Sequence, residues 1–324
     1  MPVLPAHKPG GLRIGLVNNM PDAALARTEQ QFLSVLMAAA PEHAINLHLF
    51  HVPSVPRGEL GRSHLSSNRY RDVTELDFAA LDGLIVTGTE PKQSDLRMES
   101  YWSDLARLFE WIADLGPSTV FSCLAAHAAV LHYDGIERRR LDHKRFGLFT
   151  HEAATHHVLT QHLPAEARIS HSRWNEVSAT ALSLRGYQVL TESEDAGVDL
   201  FVKMARKPLV FFQGHPEYDS RTLFREYRRD VMRYLMGEHD NYPRLPENYF
   251  DAVERDRLAA FRDRAMWLRD TALMQDFPIS SPSITEAENI AAAPKIYRQW
   301  LSTISDVAPL VERRKMPRIA GASR

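Results

Sequence analysis

The single cysteine, Cys123, follows the apolar run Val120-Phe121-Ser122 and precedes Leu124-Ala125-Ala126. This pattern predicts a strand that turns sharply into a helix with the thiol at the turn, the geometry of a nucleophile elbow. A helix N-terminus presents unpaired N–H groups and a positive partial charge, which favour a thiolate and can receive an oxyanion. A second chemical signal is Val210-Phe211-Phe212-Gln213-Gly214-His215-Pro216-Glu217. It reads as an apolar strand with a histidine just past its end and a carboxylate two residues on. Ligands of open α/β sheets bind beyond the carboxyl ends of the strands. Glu217 can accept a bond from the imidazole N–H, fixing its tautomer and stabilising the imidazolium. A cysteine at one strand end and His-x-Glu at another form a triad pattern for nucleophilic catalysis. Each half alone has an ordinary alternative, a buried core thiol or a structural histidine.

The elements that must position these groups read as β-α alternation. Leu12–Val17, Ile45–Phe50, Leu81–Val86 and Ser118–Ser122 are short apolar or alternating runs, as expected of strands. Helices are predicted over Ala23–Ala39, Tyr101–Leu115 and Leu124–Leu131, and residues 52–72 read as a loop. After His151 the pattern shifts towards β, with strand-like segments at His157–Leu159, Ala167–Ile169, Tyr187–Leu190, Val198–Val202 and Pro208–Phe212. Helices follow at Arg221–Leu235, Asp251–Leu273 and Lys295–Ile304, with a Pro/Ser-rich linker at 276–289. The fold class is α/β, a mostly parallel sheet flanked by helices, with a C-terminal helical extension. The expected division is a flexible N-terminus (1–11), an α/β catalytic domain (12–250), the helical extension (251–304) and a basic flexible tail (305–324). The 251–273 helix, with Trp267 and Leu268, is a packing element and a candidate homodimer surface.

Composition narrows the function classes. Of 324 residues, 39 are Lys or Arg and 41 Asp or Glu, so a net charge of −2 leaves no broad electrostatic footprint for nucleic acid or anionic lipid. One cysteine excludes an internal disulfide and a cysteine-based zinc site. No apolar stretch approaches the ~18 residues of a membrane span, and residues 1–10 lack the pattern of a secretory signal, so a cytoplasmic protein acting on small molecules is expected. The histidine-rich stretch from His143 to His171 has no Cys or carboxylate cluster to complete a ligand set, so no metal is expected. No Gly-rich phosphate loop is present.

The Cys123 elbow, the run Gly214-His215-Pro216-Glu217-Tyr218-Asp219 and their separation resemble class I glutamine amidotransferase (flavodoxin-like) folds. They resemble more closely the homoserine O-acyltransferases, the homoserine transsuccinylase family of methionine biosynthesis. The likeness includes the helix Thr222-Leu223 to Arg229-Asp230-Val231, Asn19-Met20-Pro21, Thr87-Gly88, Tyr101-Trp102, Tyr133-Asp134-Gly135-Ile136, Lys144 to Gly147 and His171-Ser172-Arg173. The resemblance implies that Cys123 takes an acyl group from acyl-CoA as a thioester, with His215 as base and Glu217 orienting it. Acyl-CoA is then a co-substrate, and no bound cofactor is implied. Lys144 matches the family lysine near the acyl and substrate groups, Ser172 an acceptor-pocket position, and Arg229 the arginine that grips the amino-acid carboxylate. The oxyanion donors would be the backbone N–H of Leu124 and one from Gly88 or Thr89.

The departures are informative. Leu124 stands where the family usually has Trp, and Asp22-Ala23 where a Lys usually follows the Met-Pro. The third-strand loop reads Thr87-Gly88-Thr89-Glu90-Pro91-Lys92 in place of Thr-Gly-Ala-Pro. Lys92 falls where succinyl-using members have a small residue and acetyl-using members an acid. A cation there can pair with a succinyl carboxylate, so succinyl-CoA is the expected donor, ahead of acetyl-CoA. The acceptor is homoserine or a related hydroxy amino acid such as serine. Two alternatives share the residues: a glutaminase-type amidotransferase, with His127 where such enzymes have Gln, and a non-catalytic protein of the same fold.

Overall fold

The computed structural model describes residues 10–283 and 292–305. The expected lead-in up to residue 9, the later part of the 276–289 linker and the basic tail from residue 306 lie outside the described residues. The strands are β1 (Leu12–Val17), β2 (Ile45–His51), β3 (Arg71–Asp72), β4 (Gly83–Thr87), β5 (Ser118–Ser122), β6 (Arg139–Ala153), β7 (Ala167–Glu176), β8 (Gln188–Val189), β9 (Thr191–Ser193), β10 (Gly197–Val198), β11 (Leu200–Met204) and β12 (Pro208–Phe212). The helices are α1 (Leu25–Ala39), α2 (Glu59–Ser67), α3 (Trp102–Asp114), α4 (Leu124–Asp134), α5 (Ala179–Leu184), α6 (Thr222–Leu235), α7 (Ala252–Leu268) and α8 (Ala293–Ser305).

A central eight-stranded sheet runs in the order β3-β2-β1-β4-β5-β12-β11-β8. The six strands from β3 to β12 are parallel, and β11 pairs antiparallel with both neighbours. Central strands covered on both faces must be apolar throughout. Leu84, Val86, Phe121 and Phe211 pack on one face with α3 and α4. Their neighbours Ile85, Val120, Val210 and Phe212 pack on the other with α1 and α8. This is the expected α/β layering, and it carries the carboxyl ends of β4, β5 and β12 side by side.

The second sheet, β10-β9-β6-β7, is antiparallel. Its long strand β6 left no clear sequence pattern because Arg139–Arg145 is charged and mostly outside the core, while Phe146–Phe149 is buried. β6 and β7 pair Phe146 with Ser172 and Gly147 with His171. Gly147, at φ +151°, lets the Glu247 backbone approach to where a Cβ would lie 2.3 Å from its carbonyl oxygen. A third core joins this sheet to α6 and α7 through Phe146, Tyr227, Phe261 and their neighbours.

Three sequence expectations are corrected. Residues 52–72 are not all loop, since they hold α2 and β3; α2 buries only Gly61 and Leu65, too thin a stripe to read as a helix. His157–Leu159 is not a strand: the His157 ring accepts a bond from the Leu159 N–H at 3.2 Å and caps a 3-10 turn over Val158–Thr160. The 251–273 helix ends at Leu268, and a separate 3-10 segment spans Thr271–Asp276. Asp251 and Glu254 form its capping box. No described helix is long and apolar enough to cross a membrane.

Candidate active site

The site forms where β4, β5 and β12 end. Cys123 takes φ +52° and ψ −112°, a conformation that costs a non-glycine residue energy. The backbone around it pins the turn. Its N–H donates to Phe212 O at 2.8 Å, and its carbonyl accepts from Ala126 N–H at 3.0 Å and His127 N–H at 3.2 Å. α4 therefore begins directly under the thiol, as a nucleophile elbow requires. At its far end α4 stops at Gly135 in the left-handed region (φ +66°).

Gly88, at the end of β4, abuts this helix start. A Cβ there would lie 2.3 Å from Leu124 Cβ and 3.1 Å from Ala125 N. Only a glycine allows the β4 loop to lie against the first turn of α4, the arrangement an oxyanion pocket would need. Gly88→Val therefore lowers kcat by about 100-fold, the cost of losing one such donor; steady-state kinetics beside a thermal melt check it, and unchanged turnover contradicts it.

His215 is 6% exposed and stands just past β12. Its own N–H donates to Ser170 O at 2.7 Å, and the preceding Gly214 N–H donates to the buried Asp199 Oδ1 at 2.6 Å. The second sheet thus fixes where the histidine emerges. Its ring Nδ1 lies 2.8 Å from Glu217 Oε1, which also accepts from Ser122 Oγ at 3.3 Å. The ring stacks on Tyr218, with centroids 4.2 Å apart. Burial alone would lower its pKa. The charges of Cys123 and Glu217 and a hydrogen bond to each side chain outweigh that and hold the imidazole well above its ordinary value. The result favours an imidazolium between the sulfur and the carboxylate.

One cleft of about 1430 Å³ is lined by every residue that the sequence placed in a catalytic, substrate-binding or oxyanion role: Cys123, His215, Glu217, Gly88, Leu124, Lys92, Lys144, Ser172 and Arg229. Antiparallel pairing of β6 with β7 carries Lys144 and Ser172 towards α6. There they meet Glu226, a residue that sequence reasoning missed. Its side chain is 14% exposed, and it accepts from Ser172 Oγ and, at 2.6 Å, from Tyr218 Oη. Lys144 Nζ lies 3.5 Å from Glu226 and 3.2 Å from Asp230. Arg229, half exposed, donates to Asp230 through Nε and a terminal nitrogen at 3.0 and 2.9 Å. The spacing of Glu226 and Asp230, four apart on one helix face, was a usable signal for a charged cluster.

Burial would raise the Glu226 carboxyl, but Lys144, Ser172 and Tyr218 together bring it below its ordinary value of 4.5. Its contribution to stability is therefore complete above about 4.5 and is lost as the pH falls through the lowered folded value. Glu226→Gln removes that dependence. The variant loses less stability than the parent between neutral and acid pH, as urea melts across that range measure; parallel losses contradict the assignment.

Other expected residues take structural roles. His127 is buried, with Nε2 3.0 Å from Gln213 Oε1, and burial pushes it down to about 3, so it is neutral. Gln213 bonds in turn to Val177 and Val198 backbone groups, tying α4 and β12 to the second sheet. Arg173 is 4% exposed at the cleft wall. It donates to His171 Nδ1 at 3.2 Å and to the Asn175 carbonyl at 2.9 Å. His151 and His171 stack at 5.0 Å in the core. Among the described residues no group of three or more His, Cys, Asp or Glu side chains could hold a metal ion.

Comparison with known proteins identifies the family of the chain. The family model described as "Homoserine O-succinyltransferase" matches residues 6–309. The chain is 46% identical over 295 residues to the "Homoserine O-succinyltransferase" of Rhodopseudomonas palustris, covering 91% of this chain and 88% of that protein. It is 47% identical over 296 residues to the protein of the same description from Methylorubrum extorquens, with the same coverage. The Bradyrhizobium japonicum protein, again so described, is 44% identical over 305 residues, covering 93% and 92%. Among solved structures, a glutamine amidotransferase from Thermotoga maritima is 11% identical with a TM-score of 0.49, covering 93% of this chain and all of that one.

Proposed function

The chain belongs to the homoserine O-succinyltransferase family and is an acyltransferase of the homoserine O-acyltransferase type; we propose that it moves the succinyl group of succinyl-CoA to the homoserine hydroxyl through a thioester on Cys123. The observation that carries the mechanism is the buried His215, bonded to Glu217 at 2.8 Å and coupled in charge to Cys123 at a strained elbow.

The first step is attack of the Cys123 thiolate on the thioester carbonyl of succinyl-CoA. A carbon–sulfur bond forms to the enzyme, the bond to CoA breaks, and the departing thiolate takes the His215 proton. The new thioester is about as stable as the one consumed, so this step runs close to thermoneutral. In the second step the neutral His215 removes the proton of the homoserine hydroxyl as that oxygen attacks. O-Succinylhomoserine leaves, and the Cys123 thiolate and the imidazolium are restored. Each tetrahedral intermediate carries an oxyanion, for which the N–H of Leu124 and one N–H from Gly88 or Thr89 are the donors. Glu217 keeps Nδ1 protonated, so Nε2 faces the reaction.

Lys144, Ser172 and Arg229 receive the acceptor amino acid. A guanidinium suits the bidentate grip on its carboxylate. The acidic side of the same cluster, Glu226 with Asp230, offers a counter-charge for its ammonium. Lys92 supplies a cation to the succinyl end of the donor. Release of CoA, followed by thiol trapping with succinyl-CoA or acetyl-CoA and with homoserine or serine, tests this reading. Rapid multiple-turnover release only with succinyl-CoA and homoserine is expected, beyond the single equivalent that acylation of Cys123 frees. Equal rates with acetyl-CoA remove the donor assignment, and equal rates with serine remove the acceptor assignment.

A further inference from the structure

Past β4, the loop that carries Lys92 is held from two sides. The carboxylate of Glu99, 8% exposed, accepts the backbone N–H groups of both Lys92 and Gln93, the latter at 2.6 Å. Opposite it, Arg138 donates to the carbonyls of Gln93 at 3.2 Å and Ser94 at 3.1 Å. Lys92 itself is exposed, and an exposed lysine gives a weak, salt-screened interaction.

Arg138 differs from the other lysines and arginines that line the cleft: Lys92, Arg140 and Arg244 are exposed, whereas Arg138 is partly buried. Lys144, Arg173, Arg229 and Arg233 each lie within ion-pair distance of a carboxylate. Among the described residues Arg138 forms no ion pair, and its buried Nε has no hydrogen-bond partner. The Glu99 oxygen nearest the loop is already occupied by two backbone donors. Burial holds the guanidinium below its ordinary pKa, although Tyr101, Glu99 and Cys123 act in the other direction. Arg138 lines the same cleft as Cys123, and the two interact electrostatically. A succinyl group on Cys123 ends in a carboxylate two methylenes beyond the thioester carbonyl. An acetyl group ends at a methyl and brings no charge.

Resting on the acyl-transfer reading above, we propose that Arg138 is a donor-specificity residue: its partly buried, unpaired guanidinium receives the distal carboxylate of the succinyl group. The Glu99-capped loop and Arg138 then form one wall of the donor pocket. Lys92 contributes the weaker, outer charge. A guanidinium with two bonds already made to carbonyls is pre-oriented, so its remaining N–H groups meet a carboxylate without a large ordering cost.

The test compares kcat/KM for succinyl-CoA and acetyl-CoA, with homoserine as acceptor, in the parent protein, R138Q, R138K and K92Q. R138Q is expected to lose about 100-fold with succinyl-CoA, as for a removed charge-assisted contact. The same variant changes less than about 3-fold with acetyl-CoA, which makes no such contact. R138K recovers part of the succinyl rate, and K92Q moves the donor ratio less than R138Q. An equal fall with both donors overturns the proposal and leaves Arg138 as a loop brace. A donor ratio that collapses in K92Q but not in R138Q also overturns it. If the parent protein uses no succinyl-CoA, the underlying donor reading fails too, and that outcome is seen without any variant.

Discussion

Cys123→Ser lowers kcat by at least about 10⁴-fold and abolishes acyl capture, because a hydroxyl at this elbow cannot exist as the anion that attacks the donor. The substitution nearly conserves volume, and the turn is held by backbone bonds to Phe212, Ala126 and His127, so the fold and its thermal melt change little. The same variant carries an independent signature. Cys123 is the leading group that raises the His215 imidazole against the downward push of burial. With the sulfur gone the burial remains, so the imidazole titrates at lower pH than in the parent, as carbon-bound ring protons followed by NMR measure. An unchanged His215 titration contradicts the coupling, whatever happens to turnover.

His215→Asn lowers kcat by about 10³- to 10⁴-fold, the range for loss of a general base and acid that serves both half-reactions. In the proposed mechanism it removes the proton that leaves with CoA and the group that deprotonates the acceptor. It also strips the counter-charge from Cys123, so alkylation by iodoacetamide at neutral pH slows. Binding of homoserine, proposed above to rest on Lys144, Ser172 and Arg229, should persist. A variant with normal alkylation but no turnover would confine His215 to the second step. A variant with near-parental turnover contradicts the triad. Ser122, which donates to the same Glu217 oxygen as the imidazole, becomes that carboxylate's remaining partner.

The central sheet was legible because its physics is local. β1, β4, β5 and β12 are buried on both faces, so each reads as an apolar run bounded by turn residues. The turn at Cys123 was legible for the same reason, since a buried strand runs straight into the small residues Ala125-Ala126, but the cysteine's role needed His215-x-Glu217 as a second signal. β6 was hidden because its paired, charged half owes its strand state to β7 and not to its own pattern. α2 was hidden because two buried positions make no stripe. His157 misled because an apolar Val-Leu pair beside it is folded into a capped turn.

The site divides along the same line. Cys123 and His215-x-Glu217 announce themselves by position at strand ends. Lys144, Ser172 and Arg229 came into view only by resemblance, since each alone reads as a solvated side chain. Their common partner Glu226 depends on the docking of α6 against the β6–β7 pair, a tertiary event with no local signature. Arg138 was likewise silent, because what distinguishes it is partial burial without an ion pair among its described neighbours.

Intact-protein mass spectrometry after mixing the enzyme with succinyl-CoA alone bears most directly on the thioester. The parent protein is expected to gain the mass of one succinyl group on Cys123, release CoA in equal amount, and lose that mass when homoserine is added. No adduct, or one that forms on another residue and survives homoserine, contradicts the account.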